Sequence, residues 1–419
     1  MPLMKSWIAS ANSANTDFPL NNLPYGVFST GGATPRCGVA IGDMILDVAS
    51  LESQGLLKIT GQPLFRQPSW NALMETGQPV WAKLRATLGE MLQEGTAHQP
   101  VLEAHLHSQA DARMHLPFKV AEYTDFYAGR NHATNVGTMF RGAENALPPN
   151  WLHIPIGYNG RSSSVIVSGT EFNRPWGQLK SNDAIVPIFA TSKRFDIELE
   201  LGAIIGTASQ FGKPVTVAEA DAMIFGYVLL NDWSARDIQA WEYQPLGPFQ
   251  AKATATTISP WIVTKAALET FRVSTPPREV PLLPYLEEPT PMLYDIQLEI
   301  GITPEGGRET VISRTTTAEL YYSAAQQLAH HTSSGCAMNV GDLLGSGTIS
   351  GPTKDSRGSL LEISWGGKEP FAIEGGTRSF IEDNDTLTLR GSARGDGYKI
   401  GFGDCTGKVL PALQNPYQR

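Results

Sequence analysis

The chain has 419 residues, is 41% hydrophobic and 17% charged, and carries a formal net charge of −9. That length suits two domains, or one large domain with a smaller one attached. The negative balance argues against nucleic acid or an anionic membrane as the main partner, and 41 glycines with 29 prolines favour a loop-rich, β-heavy architecture.

The opening segment "MPLMKSWIASANSANTDF" has no continuous apolar run, so no signal peptide is expected. Cys37, Cys336 and Cys405 lie far apart and form no CxxC pair, which reads as reduced thiols in a cytoplasmic protein. Residues 1–117 read as a separate unit. "YGVFS" and "CGVAIGDMILDVA" are short strands, and Trp81, Leu84, Leu88 and Met91 recur at helical spacing. Met114 to Tyr127 then leads into a larger unit, residues 118–419.

That unit opens on a stretch dense in Asp, Tyr, His and Arg with Gly-rich turns, from Tyr123 to Ser164. His132 sits there among polar and small residues, with Asp125, Tyr127, Arg141 and Tyr158 nearby in sequence. Next, "KRFDIELELGAIIG" alternates Phe195, Ile197, Leu199 and Leu201 with Asp196, Glu198 and Glu200. Alternation is the mark of an amphipathic strand, so Glu198 and Glu200 project from one face. Two readings stay open: a solvated face, or oxygen ligands for a hard cation such as Ca²⁺ or Mg²⁺.

"YVLL" is a buried-strand signal that ends at Asp232. A helix follows, with Ser234 and Asp237 in capping-box register and Arg236, Gln239 and Tyr243 on one face. A guanidinium, an amide and a phenol can all address a carboxylate or oxyanion. Lys252 returns after a Pro- and Gly-bearing loop. Thr216 with Glu219, and Thr316 with Glu319, have capping-box spacing as well. The segment from Pro276 to Pro291 is a surface connection. "YDIQLEIGIT" after it repeats the acidic alternation, so periodicity alone cannot say which strand carries chemistry. His330 and His331 point about 100° apart on a helix, no HExxH occurs, and zinc is not expected. The Gly-rich "GSGTISG" and "GFGDCTG" fit neither a dinucleotide fingerprint nor a P-loop, and no GxSxG elbow is present.

Seven segments taken together resemble the fumarylacetoacetate hydrolase family: "LPYGVFST", "YTDFYAGRNHATNVGTMFR", "NWLHIPIGYNGRSSSV", "NDWSARDIQAWEYQPLGPF", "GSGTISGP", "GDGYKIGFG" and "GKVLPAL". The likeness runs from about residue 18 to residue 413 and includes the N-terminal unit. It implies a mainly β (α+β) protein: an SH3-like β-barrel N-terminal domain, then a larger mixed β-sandwich roll, assembled as a homodimer. It also implies Ca²⁺ or Mg²⁺ held by Asp125, Glu198, Glu200 and Asp232, with a second ion position near Lys252 and Thr256. The resemblance puts the general base at His132, its orienting carboxylate at Glu362, and a polar clamp on the reacting carbonyl at Arg236, Gln239 and Lys252. Tyr127, Arg141, Tyr158, Gln239, Tyr243 and Thr348 fall on substrate contacts. Asp196 is expected to stay out of the ligand set.

The implied reaction is cleavage of the C–C bond of 4-fumarylacetoacetate to fumarate and acetoacetate, the last step of tyrosine and phenylalanine breakdown. The residue types suit it: a histidine of ordinary pKa ~6.5 as base, cationic and amide donors for an oxyanion, and a dication for the departing enolate. Competing readings are a related acylpyruvate or β-diketo-acid hydrolase or decarboxylase, and a catalytically silent, metal-stabilised binding protein.

Overall fold

The alternating and buried-strand signals both become sheets in the computed structural model, which describes residues 2–181, 183–415 and 417. Near the N-terminus, β1 (Tyr25–Thr30), β2 (Arg36–Ile41), β3 (Met44–Asp47), β4 (Leu106–Ser108) and β5 (Ala112–His115) form a five-stranded sheet in the order β4-β3-β2-β1-β5. All of its pairings are antiparallel. The predicted helix is α1 (Gln78–Leu92); of the stripe at helical spacing Leu84, Leu88 and Met91 are buried, while Trp81 is half-buried.

The larger unit is built on two sheets, so the protein is mainly β as expected. The first has eight strands. Its central run is β7 (Gly157–Asn159), β6 (Tyr123–Phe126), β17 (Leu343–Gly345), β11 (Leu199–Ile205), β12 (Ile224–Asp232), β14 (Thr256–Ile258) and β8 (Val165–Val167). The second has six, with the central run β16 (Thr310–Thr316), β15 (Gln297–Thr303), β18 (Thr386–Arg394), β19 (Cys405–Leu410) and β9 (Glu171–Asn173). Short strands β10 (Phe195–Asp196) and β13 (Ser234–Ala235) pair separately beside the first sheet.

The eight-stranded sheet is buried on both faces, and its alternation is divided between two cores. Leu201, Ala203, Ile205, Tyr227 and Leu229 point into one core, shared with Leu298 and Ile300 of the six-stranded sheet. Ile204, Val228, Leu230, Ile258 and Leu343 point the other way, into a core shared with Val27, Val39 and Leu88 of the N-terminal unit. The boundary between the two units therefore divides the sequence and not the hydrophobic interior. Backbone bonds cross it too: Tyr25 and Ile262 exchange N–H to O contacts at 2.9 and 2.8 Å. Among the described residues, no helix is long and apolar enough to cross a membrane.

Capping follows chemistry more closely than spacing. Thr216 and Glu219 form a reciprocal capping box on α3 (Val217–Met223). Ser234 and Asp237 do not: α4 (Arg236–Glu242) begins after Ala235 without a side-chain cap. Asp237 instead accepts from the Ser192 hydroxyl and the Lys193 amide, each at 2.6 Å. Thr316 caps only a short 3₁₀ turn, and the box that starts α5 (Ala324–Thr332) is Ser323 with Gln326.

Candidate active site

The second face of the eight-stranded sheet is apolar only where the N-terminal unit covers it. Beyond that cover the same face carries the acids of "FDIELELG". Asp196, Glu198 and Glu200 are all buried, which overturns the solvated-face reading. The lookalike strand β15 behaves as a surface strand should. Its Gln297 is exposed, and its Glu299 pairs with Arg314 and Arg390, both more than a third exposed.

Four carboxylates converge at this end of the sheet. Asp125 lies on β6, Glu200 on β11 and Asp232 at the last position of β12, while Glu198 sits just ahead of β11. One oxygen from each lies within 4.8 Å of the others. Register brings them there: Gly345 of β17 sits opposite both Asp125 and Gly202. A Cβ on Gly345 would lie 2.5 Å from Asp125 Oδ1 and 2.9 Å from Glu200 Oε2, so only glycine lets these two acids approach.

The donors present do not satisfy this cluster. The Tyr158 hydroxyl contacts Asp125 Oδ2 at 2.8 Å and Asp232 Oδ2 at 3.0 Å, yet it has one proton to give. Asp125 Oδ1 and Glu200 Oε1 are buried without a hydrogen-bond partner. Burial raises Asp125, Glu200 and Asp232 above the usual carboxylate range, and for Asp125 and Glu200 the neighbouring acids push further. Lys252 Nζ contacts Glu198 Oε2 and lies 2.6 Å from Asp232 Oδ2. These contacts outweigh its desolvation and keep it cationic. If all four acids ionise, they outnumber Lys252 and Arg236 by two even before Asp196, which shares Arg236, is counted, and the free donor atoms are all oxygen. That set fits a hard dication held by Asp125, Glu198, Glu200 and Asp232. Among the described residues, no second group of three or more acidic, histidine or cysteine side chains converges in this way. Thr256 lies beside the first, its hydroxyl 3.4 Å from Asp232.

His132 is carried on α2 (Arg130–Arg141) and is buried. Its Nδ1 lies 2.6 Å from Glu362 Oε2. A carboxylate can only accept, so a proton sits on Nδ1 and Nε2 is the ring nitrogen left toward the cavity, 3.8 Å from Glu198 Oε1. Glu362, on α6 (Leu360–Ile363), also accepts from Asn135 at 2.9 Å, Ser350 at 2.9 Å and Ser359 at 2.8 Å. Burial alone would raise its pKa; His132 and these donors outweigh that and hold it below the usual range. Sequence reading passed over Asn135, Ser350 and Ser359. The His132–Asn135 spacing of three on a helix, and the Ser359–Glu362 capping spacing, are the signals that could have found two of them.

Arg236 is pinned on three sides. Its Nε donates to Asp196 at 2.9 Å, its second nitrogen to Gln239 Oε1 at 3.2 Å, and its third pairs with Glu198 Oε1 at 2.7 Å. Because Gln239 accepts there, its amide N–H groups are left for the cavity. Burial would raise Glu198, but Arg236 and Lys252 outweigh it and hold the carboxylate ionised. A cavity of about 350 Å³ joins these groups, lined by Asp125, Glu198, His132, Arg236, Gln239 and Lys252 among others. Tyr127, Tyr158 and Thr348 also line it, and the Thr348 hydroxyl is buried without a partner. Phe140 and Leu246, 58% and 93% exposed, give it an apolar rim. Two expected contacts lie off the cavity wall. Arg141 donates to the carbonyls of Asn145 and Ala146 at 3.1 and 2.6 Å, and Tyr243, past the end of α4, is 45% exposed.

Comparison with known proteins agrees with this architecture. Residues 122–410 match the family model described as fumarylacetoacetate hydrolase C-terminal, and residues 21–117 match fumarylacetoacetase N-terminal. The chain is similar to the fumarylacetoacetases of Bos taurus (48% identical, 95% of this chain and 97% of the relative) and Arabidopsis thaliana (46%, 98% and 100%). Among solved structures it shares the fold of a fumarylacetoacetate hydrolase from Exiguobacterium antarcticum, with a TM-score of 0.52 at 15% identity, covering 93% of this chain and 99% of that one. With both domain types matched in order and near-complete coverage of relatives almost half identical, the chain belongs to the fumarylacetoacetate hydrolase family.

Proposed function

We propose that this chain is a divalent-metal-dependent hydrolase that cleaves 4-fumarylacetoacetate to fumarate and acetoacetate. The observation that carries the reading is the meeting, at one cavity, of His132, held from behind by Glu362, with Asp125 and Glu198 of the four-carboxylate cluster. Its near-half-identical relatives are fumarylacetoacetases, and the donor set matches what that reaction requires.

His132 Nε2 takes a proton from water as the water oxygen bonds to the substrate carbonyl carbon, and Glu362 stabilises the resulting imidazolium. A base so placed contributes ~10²–10⁴ in rate. Arg236, Lys252 and the Gln239 amide donate to the oxyanion that forms, each such donor being worth up to ~10²–10³. The C–C bond then breaks, its electron pair leaves as an enolate, and the imidazolium returns the proton to that carbon. Asp125, Glu198, Glu200 and Asp232 would hold a Ca²⁺ or Mg²⁺ ion, which when bound would supply positive charge to stabilise the departing enolate. Tyr127, Tyr158 and Thr348 contact the substrate from the cavity wall, while Arg141 and Tyr243 reach it only after a side-chain rearrangement. We place the enzyme in the cytoplasm as a homodimer, on the family resemblance and the free cysteines.

Steady-state turnover of fumarylacetoacetate against a series of acylpyruvates tests the substrate. A kcat/KM at least tenfold higher for fumarylacetoacetate is expected. Equal or better turnover of an acylpyruvate overturns the assignment within the family.

A further inference from the structure

Asp196 was set apart from its neighbours in "FDIELELG", and its surroundings show why it is free to do something else. The side chain is fully buried, and each oxygen accepts two hydrogen bonds. Oδ1 takes the Ile197 amide at 2.8 Å and the Leu360 amide at 2.7 Å. Oδ2 takes the Leu361 amide at 3.0 Å and Arg236 Nε at 2.9 Å. No lone pair remains for a cation. Two of those donors, Leu360 and Leu361, are the first two amides of α6, and the third amide, that of Glu362, goes to Ser359. A helix start normally leaves such amides unsatisfied, and here a carboxylate from 164 residues away closes two of them.

We infer that Asp196 is a positioning residue that locks the Arg236 guanidinium and the Glu362-bearing turn into one frame, fixing the distance between the oxyanion donor and the base. The inference rests on the proposed reaction. The guanidinium reaches Asp196 through Nε, which leaves the other face of the fork toward Glu198 and the cavity. The turn reaches Asp196 through backbone, which fixes the start of the helix that aims Glu362 at His132. Asparagine at this position keeps the shape but offers an NH₂ group to two of the four donors, so one arm of the frame must let go. Misplacing a donor or base by an ångström is sufficient to cost ~10²-fold in the chemical step.

The test is Asp196→Asn, measured with the wild type and with Arg236→Lys alone and combined. The expected result is a kcat lower by ~10², with KM and calorimetric Ca²⁺ affinity within about threefold of wild type, since Asp196 touches neither ion ligand lone pairs nor cavity. The double variant should fall little below the worse single one, because the frame joins the guanidinium to the turn and either change alone already breaks that joint. An unchanged kcat, or a loss shared equally by kcat, KM and Ca²⁺ affinity, contradicts a positioning role. So does a double variant whose losses multiply. If Asp196→Asn fails to fold, amide hydrogen exchange of wild-type Leu360 and Leu361 decides: strong protection supports the frame, and exchange as fast as in surface turns overturns it. A wild type inert toward fumarylacetoacetate refutes the proposed reaction, whereas the exchange and Ca²⁺ readouts judge Asp196 independently.

Discussion

In the proposed reaction His132 can serve as the base only while Glu362 keeps its charge and the ring keeps its proton on Nδ1. Glu362→Gln puts an amide opposite that ring nitrogen, favouring the wrong tautomer or orientation, and should lower kcat by about 10²–10³ with Ca²⁺ affinity retained. His132→Ala should cost ~10²–10⁴ in kcat, while calorimetry still finds the ion bound, because the ring contributes no ligand. Near-normal turnover by His132→Ala would show that another group is the base. At this scale the sequence was informative in kind and silent about partners. The Glu198–Glu200 alternation marked two acids on one face, and a buried carboxylate looks the same in sequence as a wet one. Only Asp125 and Asp232, arriving from other strands, turn that face into a site.

Elements deliver those residues, and their limits are steric. The three-strand crossing of β6, β17 and β11 works because Gly345 leaves the space that Asp125 and Glu200 fill. Gly345→Ala should weaken Ca²⁺ binding by ~10–100-fold, read by calorimetry, with the far-UV spectrum unchanged. Helix starts offer a second test. Ser323→Ala removes a working cap on a buried helix and should cost about 1–2 kcal/mol in denaturant unfolding. Thr316→Ala, whose hydroxyl caps one 3₁₀ turn and donates to the exposed Asp295, should cost less. Spacing pointed to Thr316 and Ser234 as helix caps because S/T-x-x-E/D spacing is common. It could not show that Asp237 is engaged by Ser192 and Lys193, contacts that come from a chain segment 45 and 44 residues earlier.

For the whole molecule, strand content was legible, and the core shared between the N-terminal residues and the rest was not. Buried runs such as "YVLL" do not say what covers each face; here Val228 and Leu230 face the N-terminal unit and Leu229 faces the other sheet. Residues 118–419 made alone should therefore aggregate or associate, as judged by light scattering, because an apolar sheet face loses its cover. The acidic centre also sets a pH dependence. Asp125, Glu200 and Asp232 have raised pKa values, so the ion-free folded state holds more protons than the unfolded chain. Its stability is then fully present below the ordinary carboxylate range and falls as pH rises through the raised values. The lowered Glu198 and Glu362 act only in the acid range and do not oppose this near neutrality. Stabilisation by Ca²⁺ should thus be larger at pH 8 than at pH 5.5 in thermal denaturation. The most direct measurement is fumarylacetoacetate turnover by enzyme stripped with a chelator and then given Ca²⁺ or Mg²⁺. The account predicts loss of at least 10²-fold on stripping and recovery on adding an ion back; full activity after complete metal removal contradicts it.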